Sequence, residues 1–326
     1  MAIKLFPAWI VSVGLFATSA LAADDGKSQG VKITELPDKL RVEVNGQLFT
    51  EYHFKGAPHV YFYPVLGPGG LPMTRNYPMV RDSEGEEHDH PHHRSLWYSH
   101  GAVNGVDFWS EGSKAGKILH DKFLSIESGS DSGLIKSRDN WVAGDGKVIC
   151  TDERTFRVYA RPDNERLFDF DVTIHAGDQP LVLGDTKEGS FAVRIAETMR
   201  LSRGKTKASK GHIVQSTSVR DDETWGKHAE WCDYYGPVNG KIVGIAIFDH
   251  PKNPRHPTTW HVRDYGLFAA NPFGLHEFEK KPSGAGDLTV PAGQSVTFRY
   301  RVYLHEGNEV QAKVDERYQA YAKEAQ

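Results

Sequence analysis

The chain has 326 residues, 39% hydrophobic and 25% charged, with a formal net charge of −4 and two cysteines. A mildly acidic chain with scattered lysines and arginines offers no electrostatic footprint for nucleic acid. Its length suits one large β domain or two small ones.

At the N-terminus, Lys4 is the only charged side chain before Asp24, residues 5–16 are mostly apolar, and Ala20-Leu21-Ala22 supplies a small-x-small cleavage pattern. That apolar core falls short of the roughly 20 residues that span a bilayer. Residues 1–22 are therefore expected to be a signal peptide. This leaves 23–326 as a single β-sandwich domain, periplasmic or secreted, with no membrane association once the signal is removed.

Downstream, strand-like runs occur at 31–36, 40–44, 47–54 and 59–65. Cys150 follows, far in sequence from Cys232, so a CxxC metal or redox motif is excluded. Two separate buried thiols are the simpler expectation, with a disulfide the alternative in an oxidising compartment. The run 155–160, the turn signal Arg161-Pro162-Asp163-Asn164-Glu165 and "LFDFDVTI" predict a hairpin. In its second strand Phe168, Phe170, Val172 and Ile174 alternate with polar residues, the period of a strand with one buried face. Further strands are expected at 191–200, 241–248 and 296–304. Val310, Val314, Tyr318 and Tyr321 fall on one face of a helix over 308–323. Many strands separated by turns predict an all-β protein, a large antiparallel β-sandwich with a short C-terminal helix.

Histidine placement is the sharpest functional signal. Nine of the sixteen histidines lie in 88–100 and 250–276, two loop-like segments far apart in sequence. The first reads "EEHDHPHHRSLWYSHG". The second, with prolines at 251, 254 and 257 that forbid a helix, carries Asp249, His250, Asn253, Arg255, Trp260, His261 and, further on, Asn271. "GDTKEGSFAVRIAETMR" places Glu188 at a Gly-flanked turn.

Three chemistries compete for these residues. In an acid/base site on a sugar, His93 and His261 form the proton-transferring pair, since histidine titrates near neutral pH. Glu188 is then a second base or orienter. His92, Arg94, Trp97, Asp249, His250, Asn253, Arg255, Trp260 and Asn271 would hold the substrate, arginine as a planar fork of donors and tryptophan by stacking on the ring. In a divalent-metal enzyme, His88, His90, His92 and His93 would be the ligands. In a non-catalytic carbohydrate-binding domain the same histidines only hydrogen-bond. No cofactor is required by the first and third. Nothing in the sequence sets the oligomeric state.

"HDHPHHRSLWYSHGAVNGVDFW", "KEGSFAVRIAETMR" and "GIAIFDHPKNPRHPTTWHVRDYGLFAANPFG" together resemble the DUF6807 family, of unknown function, over about residues 60–305. The family's older label, methane oxygenase PmoA-like, fits poorly: such a membrane subunit needs several spanning helices, and no run after residue 22 supplies one. "LTVPAGQSVTFRYRVYLHEG" is similar to the closing strand of the galactose-mutarotase-like supersandwich group. That resemblance implies the same fold and chemistry on a carbohydrate such as a sugar or uronate, of epimerase, lyase or hydrolase type. In mutarotases a histidine and a glutamate are acid and base, and no residue here matches that glutamate by motif. Asp107-Phe108-Trp109 is also one residue shorter than the group's Gly-x-Asp-x-x-Trp loop.

Overall fold

The computed structural model describes residues 1–3, 29–201 and 210–324, so the expected signal segment lies outside the described residues from position 4 to its end. Two eight-stranded sheets carry the chain. In spatial order the first contains Val31–Glu35, Lys39–Val44, Gln47–His53, Tyr61–Val65, Leu96–His100, Gly189–Arg194, Leu267–Ala270 and Trp260–Val262. The second contains His212–Gln215, Trp231–Val238, Lys241–Asp249, Ser295–Glu306, Glu165–Ala176, Val148–Tyr159, Ser132–Val142 and Lys117–Glu127. Neighbouring strands are antiparallel throughout both sheets. The protein is a large antiparallel β-sandwich.

Alternation explains how the sheets meet. Phe168, Phe170, Val172 and Ile174 are buried in one continuous core with Val42, Tyr98, Phe191 and Val193 of the first sheet. Phe191 lies between Phe170 and Tyr300 of the opposite sheet, ring centroids 4.8 and 4.9 Å away. The expected hairpin pairs Val148–Tyr159 with Glu165–Ala176, Val158 opposite Phe168.

The C-terminal helix runs Val314–Glu324 and packs Val314, Tyr318 and Tyr321 on the outer face of the second sheet, against Trp231, Phe248 and Tyr303. It starts later than its periodicity suggests. Asn308 and Gln311 exchange side-chain to backbone bonds of 2.9 and 3.1 Å, which close a turn and leave Val310 exposed. The strand expected over 191–200 stops at Arg194 and passes into a 3₁₀ turn at Glu197–Met199. Cys150 and Cys232 are separate buried thiols. No helix among the described residues is long and apolar enough to cross a membrane.

Candidate functional site

The outer face of the first sheet is where the histidine segments meet. Cross-strand partners point to the same side of a sheet, and register aligns His261 with Ala269, Ala269 with Ala192, Ala192 with Trp97, and Trp97 with Tyr61. The two alanines keep the middle of this row low. Trp97 and Trp109 pack with them and Leu267 as an apolar floor on the side away from the core. Above it opens a cavity of about 470 Å³ lined by His90, His92, His93, Asp107, Trp109, Ser110, Lys187, Glu188, His261, Arg263 and Tyr265. Cavities of about 370 and 420 Å³ are comparable in size, the first adjoining this one at Arg263, so chemistry rather than size singles this one out.

Strand alternation puts His261 on this face, and hydrogen bonds fix its tautomer. Its Nδ1 lies 2.6 Å from the carbonyl oxygen of Lys187, which only accepts, so Nδ1 carries the hydrogen and Nε2 keeps a lone pair. Burial lowers its pKa to about 4, against the raising influence of Glu188 and that carbonyl. The same carbonyl accepts from Asn271 Nδ2 at 2.7 Å, and Asn271 Nδ2 also reaches the Thr186 carbonyl at 3.1 Å. Asn271 therefore positions the loop that carries Glu188 and is itself fully buried. That loop presses on Gly101, where an added Cβ would meet the Glu188 Cβ at 2.8 Å. The Glu188 carboxylate pairs with Lys187 Nζ at 3.0 Å.

His93 has the opposite polarity. Arg194 donates from Nη1 to His93 Nδ1 at 3.1 Å, and since a guanidinium only donates, Nδ1 is the acceptor and Nε2 carries the hydrogen. Burial first, then the charges of His92, Arg194, His90 and Arg75, holds His93 well below the usual histidine range. Arg194 is held in turn by Asp89, 2.7 Å from its Nη2, and the same carboxylate oxygen accepts from Arg75. The second Asp89 oxygen lies 2.7 Å from His90 Nδ1. Burial opposes ionisation of Asp89, but the hydrogen bonds of His90 and Arg194 and the charges of both arginines keep its carboxyl well below the ordinary carboxylate range. His90 lies parallel to both His93 and Tyr265, ring centroids 4.7 and 5.1 Å away, in a triangle closed by 6.5 Å between those two, and His93 stacks on Trp97 at 5.3 Å.

Several residues expected to hold substrate have other occupations. Trp260 does not stack on a ligand: it is fully buried on the core side of its strand and donates to the Ala229 carbonyl at 3.0 Å. Trp97 lies beneath His93 and does not line the cavity. Asp249 is buried and accepts from Asn253, His256 and Thr258 at 2.8, 2.7 and 3.0 Å, a knot that ties the proline-rich loop to the second sheet. His250 accepts from Lys252 N at 3.0 Å and packs edge-on against Tyr321. Arg255 donates to the carbonyls of Pro272, Gly286 and Asp287 beside a different cavity. Arg94 is taken up bidentately by Glu111, at 2.6 and 2.8 Å. His92 lines the cavity, its pKa lowered chiefly by burial.

The metal alternative finds no geometry here. Among the described residues no three His, Cys, Asp or Glu side chains are grouped to hold an ion. His88 turns away to stack on Tyr77 at 4.5 Å, and His93 Nδ1 already takes a hydrogen from Arg194. The cavity is also lined by Asp107, Trp109, Ser110, Lys187, Arg263 and Tyr265, none of them among the expected site residues, although Trp109 and Arg263 stand in or beside the polar segments. Arg263 stands two positions beyond His261 and continues the alternation of its strand, whereas Tyr265 sits in the turn that follows.

Fold and cavity define a β-sandwich protein whose open sheet face carries a histidine-, arginine- and carboxylate-lined pocket. The chain belongs to the DUF6807 family, a family of unknown function that matches residues 39–319. No curated protein matches it. Similar solved structures include a polysaccharide lyase, at 13% identity, covering 86% of this chain and 33% of that one, with a TM-score of 0.31. A glycoside hydrolase family 97 enzyme from Pseudoalteromonas sp. strain K8, in complex with acarbose, is 10% identical over 85% and 34% of the two chains, TM-score 0.34. An aldose epimerase homologue from C. elegans is 6% identical over 86% and 99%, TM-score 0.33. The chain thus spans about a third of the length of the lyase and the hydrolase. The architecture rests on the two sheets themselves rather than on these distant likenesses.

Proposed function

We propose that this protein is a carbohydrate-active enzyme, periplasmic or secreted, that moves a proton at or beside the anomeric or carbonyl-adjacent carbon of a sugar or uronate. The observation that carries the reading is the pair of opposed tautomers. His261 presents a lone pair at Nε2 and His93 a hydrogen at Nε2, and both line one cavity. A site that must take a proton at one atom and donate to an oxygen at another needs that division. His261 is the base, His93 the donor to a substrate oxygen, and Glu188 a second base or an orienter. Trp109 and Tyr265 supply apolar surface to a ring, and the volume suits a monosaccharide unit.

Turnover of a panel of neutral sugars and uronates, followed by NMR in D₂O, tests this. Exchange of a ring C–H with solvent, or a new product, is the expected result. One observation favours a second reading, a non-catalytic sugar-binding domain: burial keeps both histidines neutral across the physiological range. Sugars that bind without exchange or product would establish that reading and sink the enzymatic one.

The pH dependence follows with a definite sign. A histidine whose pKa is lowered from 6.5 to about 4 is in its basic form everywhere above that value. The kcat/KM profile should therefore be flat from about pH 5 to 8 and fall only as pH drops through about 4. A midpoint near the ordinary histidine value would mean that His261 is not the titrating base. The proposed export predicts a mature chain beginning at Ala23, which N-terminal sequencing of the exported protein checks. An intact Met1 would remove that part of the proposal.

A further inference from the structure

Arg263 is the cation of this cavity that forms no ion pair among the described residues. Its backbone N–H donates to the Leu267 carbonyl at 2.7 Å and so extends the ladder of Trp260–Val262 by one residue. Alternation then puts Arg263 on the same face as His261, about 7 Å along the strand. Its guanidinium carbon lies 5.4 Å from the Tyr265 ring and 5.8 Å from the Trp225 ring. Among the described residues that guanidinium makes no ion pair and no hydrogen bond. Asp221, Asp222 and Asp264 line an adjoining cavity with it, yet none of them pairs with it. The nearby cations are already committed: Arg94 to Glu111, Arg75 and Arg194 to Asp89, Lys187 to Glu188.

We propose that the ligand of this site carries a carboxylate, and that Arg263 receives it. The inference rests on the carbohydrate reading above and narrows it to acidic sugars. A guanidinium flanked by two aromatic rings and taken by no acceptor among the described residues keeps its planar fork of donors available, a shape matched to the two coplanar oxygens of a carboxylate. A phosphate dianion is ordinarily met by several donors, and the second cation of the cavity is tied to Glu188. Placed beside His261, the acid group and the base sit on one edge of the cavity, so a uronate would enter with its carboxylate end towards the base.

Calorimetric titration of the mature protein decides the matter. The probes are glucuronate and galacturonate, their neutral counterparts glucose and galactose, and glucose 6-phosphate. A uronate should bind about ten- to a hundredfold more tightly than its neutral counterpart, the worth of one charge-assisted contact. Arg263→Gln should bring that ratio close to one. Should Arg263→Gln fail to fold, Arg263→Lys keeps the charge but loses the fork and should reduce the preference at least severalfold. Equal affinity for acid and neutral sugars, a preference that survives both substitutions, or tighter binding of the 6-phosphate would overturn the inference. Binding of neutral sugars alone would overturn it while leaving the carbohydrate reading intact, and binding of none of the probes would overturn both.

Discussion

Replacing His261 by Gln should lower kcat by about 10²–10⁴ and change KM little, the signature of a lost proton-transfer group. The loop that carries Glu188 keeps an anchor without the ring, because Asn271 Nδ2 also donates, at 2.7 Å, to the Lys187 carbonyl that His261 Nδ1 meets at 2.6 Å. What disappears is the Nε2 lone pair. His93→Gln makes the contrast. Its working atom is an N–H donor fixed by Arg194, and an amide also donates, so the loss there should be smaller and shared between kcat and KM. Comparable small losses in both variants on a demonstrated activity would show that neither ring moves a proton. A larger loss for His93 than for His261 would reverse the assignment of base and donor.

The same contrast shows what could and could not be seen in the chain alone. Alternation in "LFDFDVTI" is enough to bury Phe168, Phe170, Val172 and Ile174, because an antiparallel strand with one wet face repeats every two residues. The meeting of the loops around His93, Glu188 and His261 was also legible, as histidine density in two distant segments beside a Gly-flanked acid. Facing direction was not. Trp260-His261-Val262 is a three-residue strand, too short for a pattern to say whether the tryptophan or the histidine meets the core. Nor does a count of polar groups distinguish those that serve the backbone from those left open. Asp249, Asn253 and Arg255 look like ligand contacts in sequence, but they tie the proline-broken loop to its surroundings: Asp249 accepts from Asn253 and from Thr258 N, Asn253 donates to the Arg299 carbonyl, and Arg255 to the Gly286 carbonyl. Arg263 stands in the same segment as Arg255, and nothing in the sequence says that Arg255 is taken by backbone carbonyls while Arg263 makes no ion pair or hydrogen bond among the described residues.

Asp89→Asn should destabilise the protein by about 3–5 kcal/mol, read as a fall in the midpoint of urea unfolding. The guanidiniums of Arg75 and Arg194 are both fully buried and share one oxygen of this carboxylate. The asparagine keeps the shape and one acceptor but leaves two buried cations without the carboxylate they are bonded to, and removing one member of a buried ionic group costs more than the group contributes. Function should fall with stability, through a traceable route. Arg75 also donates to the carbonyls of Glu87, Asp89 and His90, so the cluster clamps the backbone that presents the histidines. Arg194, once released from Asp89, no longer fixes the His93 tautomer, so the proposed substrate contact at His93 Nε2 should weaken even in molecules that stay folded. The exposed pair Lys313–Glu316 is the control: Glu316→Gln should leave the midpoint unchanged within about 0.5 kcal/mol. An Asp89→Asn protein as stable as the parent would mean that solvent reaches these arginines, and the cluster would then no longer explain how His93 is held.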